Sequence, residues 1–475
     1  MRNLSIKNFK LRCIIIILMQ FNFQVAFTQF SKNPIHLKPG PHLFIDDYLI
    51  ESQIFISRTI IHPAKLPEPI ITAGKDRDQC FQPYMSVLRD SDTKRFRIWY
   101  NTPETASQSH IGYMESEDGI HWIRPHQILK DPHPIKFGVT VLDRGKDFVD
   151  PNQRYVLASY YKDGVMIATS PDGLNWKALA DTSVLKHNHD ITSLHWDPIH
   201  KHYLAIVSVW HRREDWQDNQ RIPHQSISHD LIHWEKPWPI IMPKIGAPIE
   251  QGEMQFYSMS GVIARGDLLI GLVKVLRDDL NATPGKTAKE MGDLDRKAAG
   301  LGYTVLAWTR DGRTWQRDHE PFLDRTYVPG SWDHAMAWGD EQIIVGDETF
   351  IYYGGYARGH KVARFDERQI GLARMPRDRY VAREADLNLG TLITKPVILN
   401  AGSMTVNAKV IGEMRIRLLD KNASPLPNFD WVEIKGDGVA LPVNWKCDLS
   451  VLKGKPVQIE FQMKFAQLFG FELLN

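Results

Sequence analysis

Four acidic residues of this chain stand where a pair of carboxyl groups could do chemistry. Two facing carboxyl groups, one protonated and one ionised, can act on the same bond as general acid and as base or nucleophile. The candidates, in order of preference, are Asp190, Glu253, Asp333 and Asp47. Glu253 is expected to be the acid, because its longer side chain reaches further and flanking aromatic rings disfavour its charged form. Asp190 or Asp47 would then be the base or nucleophile.

Histidines crowd around the first of these acids. His187, His189 and His195 flank Asp190 in the segment "KHNHDITSLHW". Imidazole and carboxylate groups bind metal ions, but the sequence names no further ligand. Hydrogen bonding by these side chains is therefore favoured, and no cofactor or metal is expected. A structural divalent cation at the centre of the fold stays open.

The elements that position these residues are indicated by a recurring turn. "ESEDGIHW", "TSPDGLNW", "SISHDLIHW" and "WTRDGRTW" end at Trp122, Trp176, Trp234 and Trp315. In each copy the Asp can accept backbone N–H groups, and Gly, where present, adopts the positive φ of a tight turn. The Trp would bury its ring between strands. The repeat is therefore predicted to build the scaffold and to do no chemistry.

Each repeat has room for four short alternating strands. The tryptophans are 54, 58 and 81 residues apart, and a polar insertion at 276–300 accounts for the longest interval. Four strands at this period predict a β-propeller blade. A fifth unit fits after Trp315, and "HLFIDDYLIES" at 42–52 is expected to add a strand to the ring. The sequence thus predicts an all-β protein with a five-bladed propeller over 35–384; six blades result if 42–75 forms its own.

The composition changes near residue 385. Residues 385–475 are almost entirely short alternating strands separated by Gly, Pro and Asn turns. This pattern predicts a β-sandwich of jelly-roll type. A packing module that supports the propeller is favoured over a binding module, because the segment carries no cluster of reactive side chains.

The blade phase explains the choice of acids. Ligands of a propeller bind where the first strands of the blades converge, so acids at the start of those strands are the candidates. Asp190, Glu253 and Asp333 open the third, fourth and fifth units. Asp46 and Asp47 in "FIDDYLI" would point to opposite sides of a strand, and Asp47 is preferred.

The N-terminus and the charge bound the location and the partners. Residues 1–28 combine four basic residues with an apolar core, as a secretory signal peptide does, so the protein is expected to be exported to the periplasm or beyond the cell. Removing those four positive charges takes the formal net charge from +2 to −2, which predicts no binding to nucleic acid or, after cleavage, to membranes. Cys80 and Cys447 remain and could pair.

The repeated "S-x-D-G-x-x-W" turn, "FIDDYLI" and the ending "FGFELLN" together resemble the five-bladed propeller glycoside hydrolases of families 32 and 43. The resemblance implies hydrolysis of a glycosidic bond in an oligo- or polysaccharide by two carboxyl groups. The nucleophile motif "W-x-N-D-P-N-G" of the invertase-like enzymes is absent from this sequence, so sucrose and fructan chemistry are not expected. Residues expected to contact sugar are Trp332, His334, Tyr257, His189, Arg212 and His360.

Three alternatives remain open. The propeller could bind a glycan without cleaving it, or carry a polysaccharide lyase that uses Tyr and His for proton transfer. Arg212 and Arg213 would suit a sulfated or carboxylated sugar, or could pair with Glu214 and Asp215 at the surface.

Overall fold

The computed structural model describes residues 33–72, 84–105, 108–125, 128–189, 191–212, 219–244, 254–283, 290, 298–360, 362 and 367–475. Their regular secondary structure is almost entirely β-strand, with single 3₁₀ turns at Pro151–Gln153 and Leu449–Leu452. No helix of the described part is long and apolar enough to span a bilayer. The all-β fold predicted from the repeat is confirmed.

The strands fall into five consecutive units preceded and followed by other strands. The N-terminal strands are β1 (Ile35–Leu37), β2 (Gly40–Leu43), β3 (Ile50–Ile54), β4 (Ser57–Ile60) and β5 (Ala64–Lys65). Unit one comprises β6 (Met85–Arg89), β7 (Phe96–Thr105), β8 (Gln108–Ser116), β9 (Trp122–Ile123) and β10 (Ile128–Leu129). Unit two comprises β11 (Phe137–Asp143), β12 (Tyr155–Tyr160), β13 (Gly164–Ser170), β14 (Lys177–Ala178) and β15 (Leu185–Lys186).

Units three to five continue the same antiparallel order. Unit three comprises β16 (Thr192–Asp197), β17 (His202–His211), β18 (Gln220–Ser228) and β19 (Trp238–Pro239). Unit four comprises β20 (Met254–Arg265), β21 (Leu268–Arg277), β22 (Leu301–Thr309) and β23 (Gln316–Arg317). Unit five comprises β24 (Met336–Val345), β25 (Glu348–Tyr356) and β26 (Gln369–Pro376).

The five units form a closed ring, as in a β-propeller. The first strands of the units lie side by side, from β6 through β11, β16 and β20 to β24, which returns to β6. Unit five has no fourth strand of its own after β26. Its place is taken by β5, which pairs Ala64 with Arg374 and Lys65 with Ala373. The segment before unit one thus closes the ring.

The strands from 35 to 60 belong instead with the end of the chain. The C-terminal strands are β27 (Val381–Ala385), β28 (Gly390–Thr394), β29 (Val397–Leu399), β30 (Ser403–Leu419), β31 (Val432–Pro442) and β32 (Pro456–Leu474). Strand β2 pairs with β32, and β3 pairs with β28. The expectation that residues 42–52 add a strand to the ring is therefore wrong. The predicted jelly-roll connection of this C-terminal unit stays a prediction.

Each repeated turn is stabilised by its own aspartate. In the second copy, Oδ1 of Asp172 accepts the N–H groups of Leu174 and Asn175, both at 2.8 Å. Gly173 has φ +76°, a backbone conformation that side chains with a Cβ rarely adopt. The scaffold role predicted for this turn agrees with these bonds, which are all local.

The turn also fastens each unit to the one before it. The carbonyl of Gly173 in unit two accepts a hydrogen bond from Trp99 Nε1 of unit one at 2.8 Å. The carbonyl of Gly119 in unit one accepts from Tyr352 Oη of unit five at 3.0 Å, and that of Gly312 in unit four accepts from Gln225 Nε2 of unit three at 2.6 Å. Inter-unit packing is thus built into the repeat.

Two units make this contact differently. Unit three has Leu231 in place of the glycine, at φ +71°, and its buried side chain packs with residues of unit two such as Val156. In unit five Asp378, at φ +66°, pairs with Arg265 of unit four at 2.5 Å. A side chain therefore replaces the backbone carbonyl at these two joints.

The glycine of the turn can be tested with a matched pair of substitutions. Gly173 and Gly145 both have positive φ, so an alanine at either site costs about 1 kcal/mol or slightly more. At residue 173 a Cβ would also lie 2.8 Å from Trp99 Cζ2, whereas nothing lies within 4 Å at residue 145. We expect Gly173→Ala to lower the free energy of unfolding, measured by chemical denaturation, by about 1–3 kcal/mol more than Gly145→Ala. Equal losses would contradict the inter-unit contact.

Candidate functional site

The inner strands of the units all begin at one end of the ring, which we call the upper end. They begin at Met85, Phe137, Thr192, Met254 and Met336. The repeated turns follow the third strand of each unit and therefore lie at the opposite, lower end. Every unit contributes at least one buried side chain to a cluster at the upper end of the axis, whose members include Tyr84, Phe137, Ile191, Tyr257 and Trp338.

The centre of this axial cluster is a stack of aromatic rings. Tyr257 lies on Trp338 with centroids 4.5 Å apart and an angle of 23°. The hydroxyls of Tyr84 and Tyr257 are 3.3 Å apart. His360 stands edge-on to Tyr257 at 5.0 Å. Trp338 is held by a hydrogen bond from Nε1 to the Val275 carbonyl at 2.8 Å, so the stack is rigid.

A buried arginine, Arg221, connects the aromatic stack to the exposed residues around it at the upper end, which we call the rim. The Arg221 guanidinium lies 4.7 Å over the ring of Tyr257 and 5.1 Å over that of Trp210. Arg221 is 8 % exposed, and among the described residues its Nε and Nη1 have no hydrogen-bond partner. Trp210 is 37 % exposed, and His189 stands edge-on to it at 4.7 Å. The rim thus offers an open aromatic face beside a cation.

Two sets of carboxyl groups lie near the stack. Gln255 Nε2 donates to Asp278 Oδ2 at 3.0 Å, just past the end of β21 at the upper end. Further along the inner strand of unit five, Asp340 forms a buried ion pair with Lys274. Burial raises the pKa of the neighbouring Glu341 to about 8. Glu341 is therefore a protonated acid at neutral pH.

The structure brings three of the predicted contact residues together. Tyr257 and His360 meet in the stack, and His189 reaches it through Trp210 and Arg221. Arg212 follows β17 at the upper end and is exposed.

The two preferred acids, Asp190 and Glu253, lie outside the described residues. Their described neighbours in sequence are informative: His189 and Ile191 flank the first, and Met254 follows the second. Ile191 belongs to the axial cluster, and Met254 begins the inner strand of unit four.

The expectation that Asp47 faces the axis is wrong. Asp47 lies in a turn between β2 and β3, 73 % exposed at its side chain, and pairs with Arg383 at 2.7 Å. With Asp46 it lines a cleft of about 680 Å³ that also contains Trp308 and Arg310. Residues 308–310 end β22 at the lower end. The cause is the pairing of β2 and β3 with the C-terminal strands.

Asp333 and its neighbours Trp332 and His334 also do not lie where the sequence predicted them. Asp333 is 2 % exposed and accepts hydrogen bonds from Lys65 Nζ at 2.7 Å and Tyr353 Oη at 3.2 Å. Trp332 stacks on Tyr353 and donates to the Pro67 carbonyl. His334 is buried and bonded to the Thr326 carbonyl at 2.9 Å. Since the inner strand begins only at Met336, these residues form a turn that holds the closing segment.

Sequence reasoning missed several residues of this site. They are Tyr84, Arg221, Asp278 and Trp338. A signal was present for two of them, because an aromatic residue stands just before the inner strand of unit one and another stands two residues after the start of the inner strand of unit five. Arg221 and Asp278 carry no such signal, since Arg221 lies on the third strand of unit three and Asp278 just past the second strand of unit four.

Comparison with known proteins gives only distant matches. No known family model and no curated protein matches the chain. Among solved structures it is similar to an N-acetylgalactosamine deacetylase from F. plautii, at 14 % identity and TM-score 0.41, over 68 % of this chain and 96 % of that one. A glycosyl hydrolase from Bacteroides ovatus matches at 15 % and 0.40, over 74 % and 98 %. An exo-β-1,3-galactanase from Phanerochaete chrysosporium matches at 10 % and 0.39, over 89 % and 100 %. Scores of this size assign no activity to this chain.

The raised pKa of Glu341 predicts a pH-dependent stability. The pKa of Glu341 is raised to about 8 from an ordinary value of about 4.3. Protonated Glu341 therefore contributes fully to the stability of the folded state below pH about 4.3, and this contribution is lost as the pH rises through about 8. Glu341→Gln removes this titration. We expect the variant to be more stable than wild type at pH 8, by about 1–3 kcal/mol, and nearly equal at pH 4, as measured by thermal unfolding.

Glu348 on the adjacent strand is the control, since its side chain is 46 % exposed. Glu348→Gln should shift stability by a similar small amount at both pH values. A Glu341→Gln effect that does not change between pH 4 and pH 8 would contradict the assignment.

Proposed function

We propose that this chain is an exported glycoside hydrolase that acts on a glycan at the upper end of its ring. The observation that carries the proposal is the axial aromatic cluster with its open rim. Sugars bind proteins through their apolar faces on aromatic rings and through hydrogen bonds to a few fixed polar groups. Trp210 offers such a ring, and Tyr257, His360 and Gln255 supply fixed polar atoms beside it.

The carboxyl pair of this hydrolase is assigned to Asp190 and Glu253. Both follow from position along the chain, since the first precedes Ile191 of the axial cluster and the second precedes the inner strand that carries Tyr257. Glu253 is proposed as the general acid and Asp190 as base or nucleophile. Asp278, bonded to Gln255 at 3.0 Å, supports the site as a third carboxylate.

The proposed substrate carries a carboxylate or a sulfate. Arg221 supports this, because a buried guanidinium with unpartnered N–H groups is stabilised by an anionic acceptor. Its aromatic partners hold it by cation–π contact, which leaves its donors available. Export through the segment 1–28 is part of the proposal, and it would bring the protein to extracellular polysaccharide.

Paired substitutions test the hydrolase. Asp190→Asn and Glu253→Gln should each reduce the release of reducing sugar by about 100-fold or more, with the circular dichroism spectrum unchanged. The assay uses a panel of uronate-containing, sulfated and neutral glycans. Asp147→Asn, an exposed change at the lower end, is the control and should keep full activity. Wild-type rates in both site variants would overturn the carboxyl pair, and binding without release by the wild type would indicate a glycan-binding protein.

A polysaccharide lyase is the second candidate, and the hydroxyl pair of Tyr84 and Tyr257 favours it. A lyase removes the proton next to a sugar carboxylate, and the electron pair forms a carbon–carbon double bond as the glycosidic oxygen leaves and is protonated. Tyrosine and histidine can supply these proton transfers, and an arginine can neutralise the carboxylate. Tyr257 and His360, which are residues of these two types, lie in contact in the aromatic stack.

The lyase has a distinct product. It would release an unsaturated uronate that absorbs in the ultraviolet, and Tyr257→Phe would reduce its formation by about 100-fold or more. Release of reducing sugar without ultraviolet absorption, together with a mild effect of Tyr257→Phe, would exclude the lyase in favour of the hydrolase.

A further inference from the structure

A cluster of side chains of the types that bind metal ions lies at the lower end of unit three, whereas the aromatic stack lies at the upper end. The turn between β16 and β17 reads "DPIHKH" and carries Asp197, His200 and His202. One ligand atom of each residue lies within 4.8 Å of those of the other two. This cluster has no part in the proposed glycan chemistry, so it can be considered independently.

The carboxylate of the cluster is fully buried and fixed. Asp197 is 0 % exposed, and its Oδ1 accepts the N–H groups of Ile199 at 2.8 Å and His200 at 3.0 Å. Its Oδ2 faces both histidines, 2.6 Å from His200 Nδ1 and 3.4 Å from His202 Nε2. The backbone therefore holds the carboxylate in place through Oδ1, while Oδ2 faces the two imidazole rings.

Comparison with two other turns shows what is distinctive here. Asp118 with His121 and Asp230 with His233 form the same pair three residues apart, both at 2.7 Å. Those histidine side chains are 87 % and 86 % exposed. An aspartate–histidine pair is therefore an ordinary device of these turns and does not by itself indicate a metal.

The third side chain of the cluster, His202, distinguishes it from these two turns. His202 begins β17 directly opposite Asp197 in the strand register and is 8 % exposed. Its Nε2 is buried, and within the described part of the chain it makes no hydrogen bond, since the contact with Asp197 Oδ2 at 3.4 Å lacks hydrogen-bond geometry. A buried ring nitrogen without a partner is unfavourable, whereas an ion bound between it and the carboxylate would satisfy it.

The absence of a side chain at residue 312 keeps the neighbouring unit clear of the cluster. Gly312 of unit four packs over the cluster, and a Cβ there would lie 2.8 Å from His200 Nδ1 and 3.0 Å from Asp197 Oδ2. The nearby Arg313 is paired with Glu235 at 2.7 Å, so its charge is compensated. His200 is 29 % exposed at its side chain and can rotate outward, with its proton moved to the solvent-facing Nε2.

We propose that Asp197, His200 and His202 bind a zinc-like divalent transition-metal ion. Two imidazoles and one carboxylate are a preferred donor set for such ions, with bonds of about 2.0–2.2 Å. Tetrahedral coordination then leaves a fourth position for water on the exposed side of His200. Bound there, the ion ties the inner hairpin of unit three together beside the turn of unit four, so its role is structural.

Zinc titration of the full chain, stripped of metal with a chelator, tests the site. We expect one tight equivalent by calorimetry and a rise in the thermal midpoint on adding Zn²⁺. His202→Ala should weaken that binding by about tenfold or more and abolish the rise. Co²⁺ provides a spectroscopic readout, since its visible absorption at a tetrahedral nitrogen–oxygen site should be lost in the same variant.

His233→Ala is the matched control, because it removes the same type of histidine from a turn with no third ligand. It should leave zinc binding unchanged. His200→Ala replaces His202→Ala if the latter does not fold by circular dichroism. Absence of a tight equivalent in the wild type, unchanged binding in the cluster variants, or equal weakening in His233→Ala would each overturn the proposal.

Discussion

The ring depends on the closing contact that Lys65 makes. Strand β5 is only two residues long, so two backbone pairings alone would hold it weakly. Lys65 Nζ adds hydrogen bonds to Asp333 Oδ2 and Thr326 Oγ1, both at 2.7 Å, and to the Asp324 carbonyl at 2.9 Å. Asp333 is buried while Lys65 is partly exposed, so removing Lys65 would leave a buried carboxylate uncompensated. Closure in turn sets unit five against unit one.

The geometry of the site follows from that closure. Tyr84 of unit one and Trp338 of unit five both contact Tyr257 of unit four, directly or by stacking. Rings from separate units can meet only if the ring is closed at a fixed diameter. The inter-unit bonds at the lower end, such as Trp99 to Gly173, keep the same spacing. Scaffold and site are thus two ends of one packing arrangement.

The centre of the ring carries more buried cationic groups than a hydrophobic core tolerates without compensation. Lys274 is compensated by Asp340, and Arg368 by the face of Tyr356 at 4.4 Å. Within the described part of the chain, Arg221 is held by the aromatic faces of Tyr257 and Trp210. Because Lys274 has a carboxylate partner and Arg221 has none among the described residues, Arg221 supports the proposed anionic ligand at the upper end.

The sequence by itself determined the parts that depend on near neighbours. Asp172 and Gly173 form their turn through bonds within a few residues, so the turn, the repeat and the propeller could be predicted. The tertiary structure alone decided which side chains meet at the axis. Asp333 was drawn to Lys65 and Asp47 to Arg383, partners hundreds of residues away, while Arg221 and Tyr84 joined the site from other strands. Long-range pairing energies choose among such partners, and a local pattern does not contain them.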